Sequence, residues 1–165
     1  MKKTLLAAVL ILITVIIVQN NGQTITPVST ESIPQIFFID RRLHRLISID
    51  YPETGSSDTI CRKIAKVIIT GKDNNEEILR LIPNKSGVIS VYVNKNKAYV
   101  DISSDIAGNA EKNPENERLI IYQIVNSMTS VDGVEQVLFT IDGKVEKKFM
   151  GFLDMREIFT PNYDI

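Results

Sequence analysis

The sequence predicts an α+β domain: a two-layer sandwich in which two helices cover one face of a mixed sheet, preceded by an N-terminal membrane helix. Three observations carry this prediction. Strand-length apolar and alternating runs are interleaved with two capped helical stretches in the order β-β-α-β-β-α-β. The chain opens on an apolar leader, with 14 of residues 1–18 apolar. Its 165 residues suit one domain plus an anchor. No internal repeat or long low-complexity segment interrupts the order.

The leader comes first. Lys2 and Lys3 precede a run over residues 4–18 that holds no charge. As a helix this run spans about 22 Å at about 1.5 Å per residue. That is short of a hydrocarbon core of about 30 Å, a gap that snorkelling lysines and local thinning close at modest cost. Val18-Gln19-Asn20-Asn21-Gly22-Gln23 lacks the small residues of a cleavage site, and Cys61 stands far too late to carry a lipid. Residues 1–18 therefore read as an uncleaved signal anchor; if the leader is cleaved, the domain is secreted. No basic residue follows until Arg41, so the N-terminus is expected in the cytoplasm and the domain outside. Residues 19–32 are polar, rich in Ser and Thr, and contain Pro27. They read as a flexible linker reaching about 45 Å when extended. Residues 33–165 form the domain.

Within it, residues 35–40 are rich in β-formers, and residues 46–51 alternate as a half-buried strand does. Arg41-Arg42-Leu43-His44-Arg45 between them reads as a hairpin tip. Ser57 or Asp58 is the expected cap of a helix to about Thr70, with Ile60, Ile64, Val67 and Ile68 as its apolar stripe and Gly71 as its stop. Residues 75–81 are expected to add a short helical turn. Residues 88–93 and 98–102 are two strands joined by Asn94-Lys95-Asn96-Lys97, with Asn supplying the positive φ of a tight turn. A polar loop follows over 103–113. Asn113 caps a second helix with Pro114 at its first position, acids in its first turn and a broad apolar face from Leu119 to Met128. Residues 136–141 form the last strand, ended by the turn signal Asp142-Gly143. The tail from 149 to 165 reads as irregular.

Composition excludes several classes. Outside the leader the chain carries 17 basic and 20 acidic residues, which argues against a globally basic nucleic-acid binder. One cysteine excludes an intrachain disulfide framework and a Cys-rich zinc site. Cys61 falls on the apolar stripe of the first helix and reads as a buried, inert thiol. His44 sits in a basic loop with no nucleophile near it in sequence. Asp101, Asp105 and Glu111 lack the spacing of a calcium loop. Arg41, Arg42 and Arg45 form the most distinctive charge cluster outside the leader and are the candidate contact for a partner.

Three segments then resemble a known family. Val88-Ile89-Ser90-Val91-Tyr92-Val93 with Ala98-Tyr99-Val100-Asp101-Ile102-Ser103-Ser104-Asp105 resembles paired strands ending in a Val-Asp-Leu-Ser pattern. Residues 117–129 and 133–144 resemble the helix and strand that follow, and Gly151-Phe152-Leu153-Asp154-Met155 echoes a closing Gly-x-x-Asp-Leu. Together they resemble the GerM domain of sporulation, spore germination and bacterial envelope proteins, over roughly residues 36–159. The resemblance implies an extracytoplasmic domain without established catalytic residues. Its fold is similar to small α/β ring-building motifs that act through protein–protein contacts. It also implies structural roles for Asp101, Ser103, Ser104, Tyr122, Gln123, Asn126, Asp142 and Gly143, with Asp142-Gly143 a turn and Asn126 a bridge from helix to loop. The chain departs from the pattern in lacking a lipobox cysteine and in holding one domain copy.

The expected protein is thus a non-catalytic membrane-tethered module. It is expected to need no cofactor and no metal, to meet the membrane through its N-terminal helix, and to contact envelope proteins. Self-association is compatible with the sequence. The competing class is a cell-wall-acting envelope enzyme or a wall-glycan-binding module, which calls for a cleft with converging carboxylates or an aromatic groove.

Overall fold

The computed structural model describes residues 32–71, 75–82 and 87–165. The expected anchor, and all of the linker but Ser32, lie outside the described residues. Among the described residues no helix is long and apolar enough to cross a membrane.

The first hairpin forms as expected. β1 (Gln35–Asp40) and β2 (Arg45–Asp50) pair antiparallel from Gln35↔Asp50 to Asp40↔Arg45. Helix α1 (Ser57–Thr70) follows, and its cap is Ser56, one residue earlier than the sequence suggested. The Ser56 hydroxyl accepts the Thr59 N–H, so the helix starts where an oxygen stands three residues ahead of an orphan donor. Gly71 ends it at φ 74°, and Arg80 donates to the carbonyls of Ile69 and Thr70 at 2.7 and 2.8 Å. A Cβ at Gly71 would collide with that guanidinium, so the left-handed cap and the arginine clamp are one device.

The expected helical turn near residue 78 is instead a two-residue strand, β3 (Ile78–Leu79), paired antiparallel with the end of β1. β4 (Val88–Asn94) and β5 (Lys97–Ile102) form the second hairpin. Its positive φ falls on Lys95, not on either asparagine. The loop expected over 103–113 contains a five-residue helix, α2 (Asp105–Asn109). α3 (Pro114–Thr129) is capped by Asn113, whose side chain accepts the Asn116 N–H, with Pro114 in the first turn as expected. β6 (Gln136–Ile141) then returns parallel to β5, making a β-α-β crossover over α3.

The architecture is α+β but not one sheet. Among the described residues the strands form two three-stranded sheets, β2-β1-β3 and β4-β5-β6; the first is antiparallel and the second mixed. α3 explains the break. Its Ser127 hydroxyl accepts the Phe37 N–H at 2.8 Å, and the hydroxyl of Ser130, which caps its C-terminus, bonds both N–H and C=O of Gln35. Helix side chains thus occupy the edge of β1 where another strand would pair. α3 packs against β1, β2, β6 and α1, so it sits within the fold and not on one face of a single sheet. The main core joins Ile36 and Phe38 of β1, Ile60, Cys61 and Ile64 of α1, the inner residues of β5 and β6, and Ile120, Ile121 and Ile124 of α3. On the other face of β1, Phe37 stacks on Tyr163 of the tail at 5.7 Å.

Candidate functional site

The arginine cluster sits on the β1–β2 turn, and the local sequence builds that turn. The Asp40 carboxylate accepts the N–H groups of Arg42 and Leu43 at 2.8 and 2.7 Å, its carbonyl accepts His44 N–H, and His44 takes φ 48°. The three arginines have different surroundings. Arg41 donates to the carbonyls of Glu76 at 2.8 Å and Ile78 at 3.1 Å, stapling the turn to β3. Arg42 and Arg45 are exposed and have no ion-pair partner among the described residues. Leu43 between them is 43% exposed. His44 lies 3.8 Å from Glu115, both in solvent. Arg45 also borders a shallow cavity of about 490 Å³ with Glu115, Arg118 and Asp164, a lining of both charge signs.

The turn has a definite place in the fold. Ser32, where the described chain begins, bonds Asp132 beyond the C-terminal end of α3. Gln35 meets Ser130, Phe37 meets Ser127, and His44 meets Glu115 in the first turn of α3. β1 and α3 therefore run side by side in opposite directions. The arginine turn lies the length of α3, about 24 Å for 16 residues, from the point of chain entry.

Five of the motif residues meet at a second place, the C-terminal ends of the parallel strands β5 and β6. Asp101 accepts the Thr140 hydroxyl at 2.7 Å and the Gly143 N–H at 2.8 Å. Asp142 accepts Ser104 N–H, and Ser103 accepts Asp105 N–H. Asp142 and Gly143 hold φ of 50° and 74°, a pair of left-handed residues that lets Ile141 and Lys144 bond each other across the turn. The turn closes one bridge only, and the chain then leaves the sheet. The carboxylates are engaged by local donors and shape the chain.

Tyr122, Gln123 and Asn126 stand apart from that cluster, on α3. The half-buried Tyr122 ring meets Phe159 edge-on at 6.1 Å, and Phe159 pairs its backbone with Val137 of β6. Gln123 is buried, and its backbone carbonyl accepts the Ser127 hydroxyl. Asn126 clasps the tail: its amide N–H donates to Asn162 C=O at 2.7 Å and its oxygen accepts Asn162 N–H at 2.9 Å.

The sequence marks Glu117 only as one of the acids in the first turn of α3 and as the start of a motif segment. It is fully buried, and its carboxylate accepts three backbone N–H groups, from Met150, Phe152 and Leu153, at 2.7–2.9 Å. One side chain thus organises the loop that follows β6. The available signal was its position: Glu117 stands one turn before Ile120 and Ile121, on the apolar face, where a carboxylate requires donors.

The remaining candidates bring no chemistry together. Cys61 is buried against the Met128 carbonyl, and burial, reinforced by the charge of Asp58, pushes its thiol up to about 12. Among the described residues no three His, Cys, Asp or Glu side chains gather to hold a metal ion. Tyr92 and Tyr99 lie on the outer face of the second sheet with rings parallel at 4.6 Å, so each ring spends one face on the other.

The geometry is that of an α+β domain whose recurrent polar residues build turns and clasps. The chain belongs to the Germane family, described as sporulation and spore germination, which residues 35–147 match. Solved structures share the fold. The tandem GerMN domains of the sporulation protein GerM from Bacillus subtilis align with a TM-score of 0.61 at 16% identity, covering 78% of this chain and 45% of that one. The first GerMN domain of the same protein aligns at 0.59 and 17% identity, covering 78% and 96%. A putative lipoprotein from Clostridium perfringens aligns at 0.58 and 12%, covering 81% and 92%. No curated protein matches.

Proposed function

We propose that this protein is a membrane-anchored, extracytoplasmic, non-catalytic member of its family that contacts protein partners in the cell envelope during sporulation or germination. The observation that carries the reading is the contrast between its polar groups. Asp101, Ser103, Asn126, Asp142 and Glu117 are engaged in bonds that shape the fold, whereas Arg42, Leu43 and Arg45 are presented to solvent. Arg41 serves the turn itself, so the contact falls to Arg42 and Arg45. Their distance from Ser32, the length of α3, supports a tethered domain that reaches for its partner with the turn. A membrane helix over residues 1–18 would raise the local concentration of the domain toward envelope partners.

The experiment is photo-crosslinking from position 43 in native membranes. A specific envelope protein is expected to be captured, and Arg42→Glu with Arg45→Glu is expected to reduce that product at least fivefold. Removal of residues 1–32 is expected to release the domain from the membrane fraction. A truncated chain that kept both envelope localisation and function would overturn the tether. Wall hydrolysis by the purified protein, abolished by one carboxylate substitution, would overturn the non-catalytic reading.

A further inference from the structure

The outer face of β4-β5-β6 carries an apolar stripe. The ladder sets Tyr92 beside Tyr99 and Tyr99 beside Leu138. Phe159 pairs antiparallel with Val137 and shares its inward side, both being buried, so Ile158 takes the outward side next to Leu138. The stripe therefore crosses four chain segments, about 14 Å from end to end at about 4.8 Å per spacing. Its ends are open to solvent, with Tyr92 49% and Ile158 47% exposed, and Tyr99 and Leu138 between them are half-buried. The alternate residues Val91, Val100 and Phe139 turn inward to the core. Each described helix contributes its buried face to that core, so none lies over the stripe.

The flanks of the stripe carry opposite charge. Lys97 and Asp101 stand two residues from Tyr99 along β5, about 6.7 Å to either side, and alternation points both outward with it. Lys97 has no ion-pair partner among the described residues. The Thr140 hydroxyl and the Gly143 N–H both meet Oδ1 of Asp101, which leaves Oδ2 for a further donor. Along the strand the face thus reads base, apolar, acid. A two-fold axis laid along the stripe returns the stripe onto itself and reverses the strand direction. It sets Lys97 of one copy over Asp101 of the other, and does so twice. A face of one charge sign would repel its own copy, whereas this face is its own complement.

We infer that two copies of this chain pair face to face through the outer side of β4-β5-β6, about a two-fold axis along the stripe from Tyr92 to Ile158. The stripe supplies the apolar burial, and the two Lys97–Asp101 pairs fix the register in which the sheets meet. The faces of the Tyr92 and Tyr99 rings meet each other, so the pair offers ring edges to the second copy. A two-fold axis also brings both chain entries at Ser32 to one level along it, which suits two chains anchored in one membrane; that point alone rests on the tether reading. The inference goes beyond the envelope-contact reading and uses a face separate from the arginine turn.

The test is crosslinking of the purified full chain in detergent solution with a bis-maleimide reagent. Cys61 is buried and is expected to give no product. Ile158→Cys lies on the axis, meets its own copy, and is expected to give a product of twice the chain mass. Asn94→Cys lies off the axis. It is expected to give little product alone and a strong one when mixed with Ser90→Cys, the exposed position that the two-fold sets over it. Lys97→Glu replaces two attractions by repulsions and is expected to lower the Ile158→Cys product about fivefold. Tyr92→Lys, at an exposed position, is expected to lower it about tenfold, with the urea midpoint kept. An Ile158→Cys chain that stayed monomeric, an Asn94→Cys product as strong alone as in the mixture, or a yield unchanged by Lys97→Glu would overturn the inference. So would capture of another protein in place of a second copy from position 158 in native membranes. Crosslinking from position 43 reads a different face, so this inference and the envelope-contact reading fail separately.

Discussion

The two long helices solve the same packing problem in opposite ways. α1 turns Ile60, Cys61, Ile64, Ala65 and Ile68 inward and Arg62, Lys63 and Lys66 outward. α3 is buried along its length from Leu119 to Met128, with only Tyr122 half-exposed, and it buries Asn116, Glu117, Gln123, Asn126 and Ser127 as well. Beyond its first turn, the charged residues of α1, Arg62, Lys63 and Lys66, mark solvent. The polar residues of α3 mark neighbours: a loop for Glu117, the tail for Asn126, a strand edge for Ser127. A polar side chain in a helix is therefore read correctly only when its partner is known, since burial without a partner costs several kcal/mol and burial with one costs little.

This contrast can be broken most strongly at Glu117. Glu117→Ala leaves three backbone N–H groups without their acceptor, that of Met150 buried and those of Phe152 and Leu153 partly so, and it is expected to destabilise the fold by about 4 kcal/mol. Urea unfolding measures it, and hydrogen exchange of Met150, Phe152 and Leu153 is expected to rise with it. A loss under about 1 kcal/mol would show that the loop does not depend on the carboxylate. On the amphipathic helix the corresponding injury is a cavity. Ile64→Ala removes a fully buried side chain and is expected to cost about 3 kcal/mol, with no selective loosening of residues 150–153.

The smallest effect sharpens the α1 side. The backbone N–H of Val93, aided by Arg62, holds the Asp58 carboxyl below its usual range. A carboxyl lowered in the folded state contributes stability that is complete above the unfolded value, near about pH 4, and is lost as pH falls through the lower folded value. Because the carboxylate is partly exposed and screened by solvent, Asp58→Asn is expected to cost less than about 1 kcal/mol at pH 7. The difference from the parent chain in urea midpoint is expected to be constant from pH 5 to 8 and to shrink below about pH 4. A constant difference down to pH 2 would remove ionised Asp58 from the account.

The local elements were readable because each rests on nearby chemistry. Asn113 with Pro114 starts α3, Gly71 stops α1, Asp142-Gly143 makes its turn, and the alternation of residues 46–51 places β2. The misses share a cause. β3 is two residues long and exists because β1 offers it an edge, and Ser56 caps α1 because its hydroxyl reaches Thr59. The motif residues were legible as structural, but not their grouping. Asp101 and Gly143 are 42 positions apart and meet because β6 returns parallel to β5.

By itself the sequence determined the α+β class, the hairpins, the two long helices, the buried thiol and the family resemblance. These follow from periodicity, caps and turn chemistry, which act over a few residues. Only the tertiary structure decided that the strands form two sheets, that α3 seals the edge of β1, that Arg41 is engaged while Arg42 and Arg45 are exposed, and that Glu117 holds a loop. Each of these depends on which distant donor meets which acceptor. Hydrogen bonds and charges act at a few ångströms, and only the folded chain sets that distance between residues far apart in sequence.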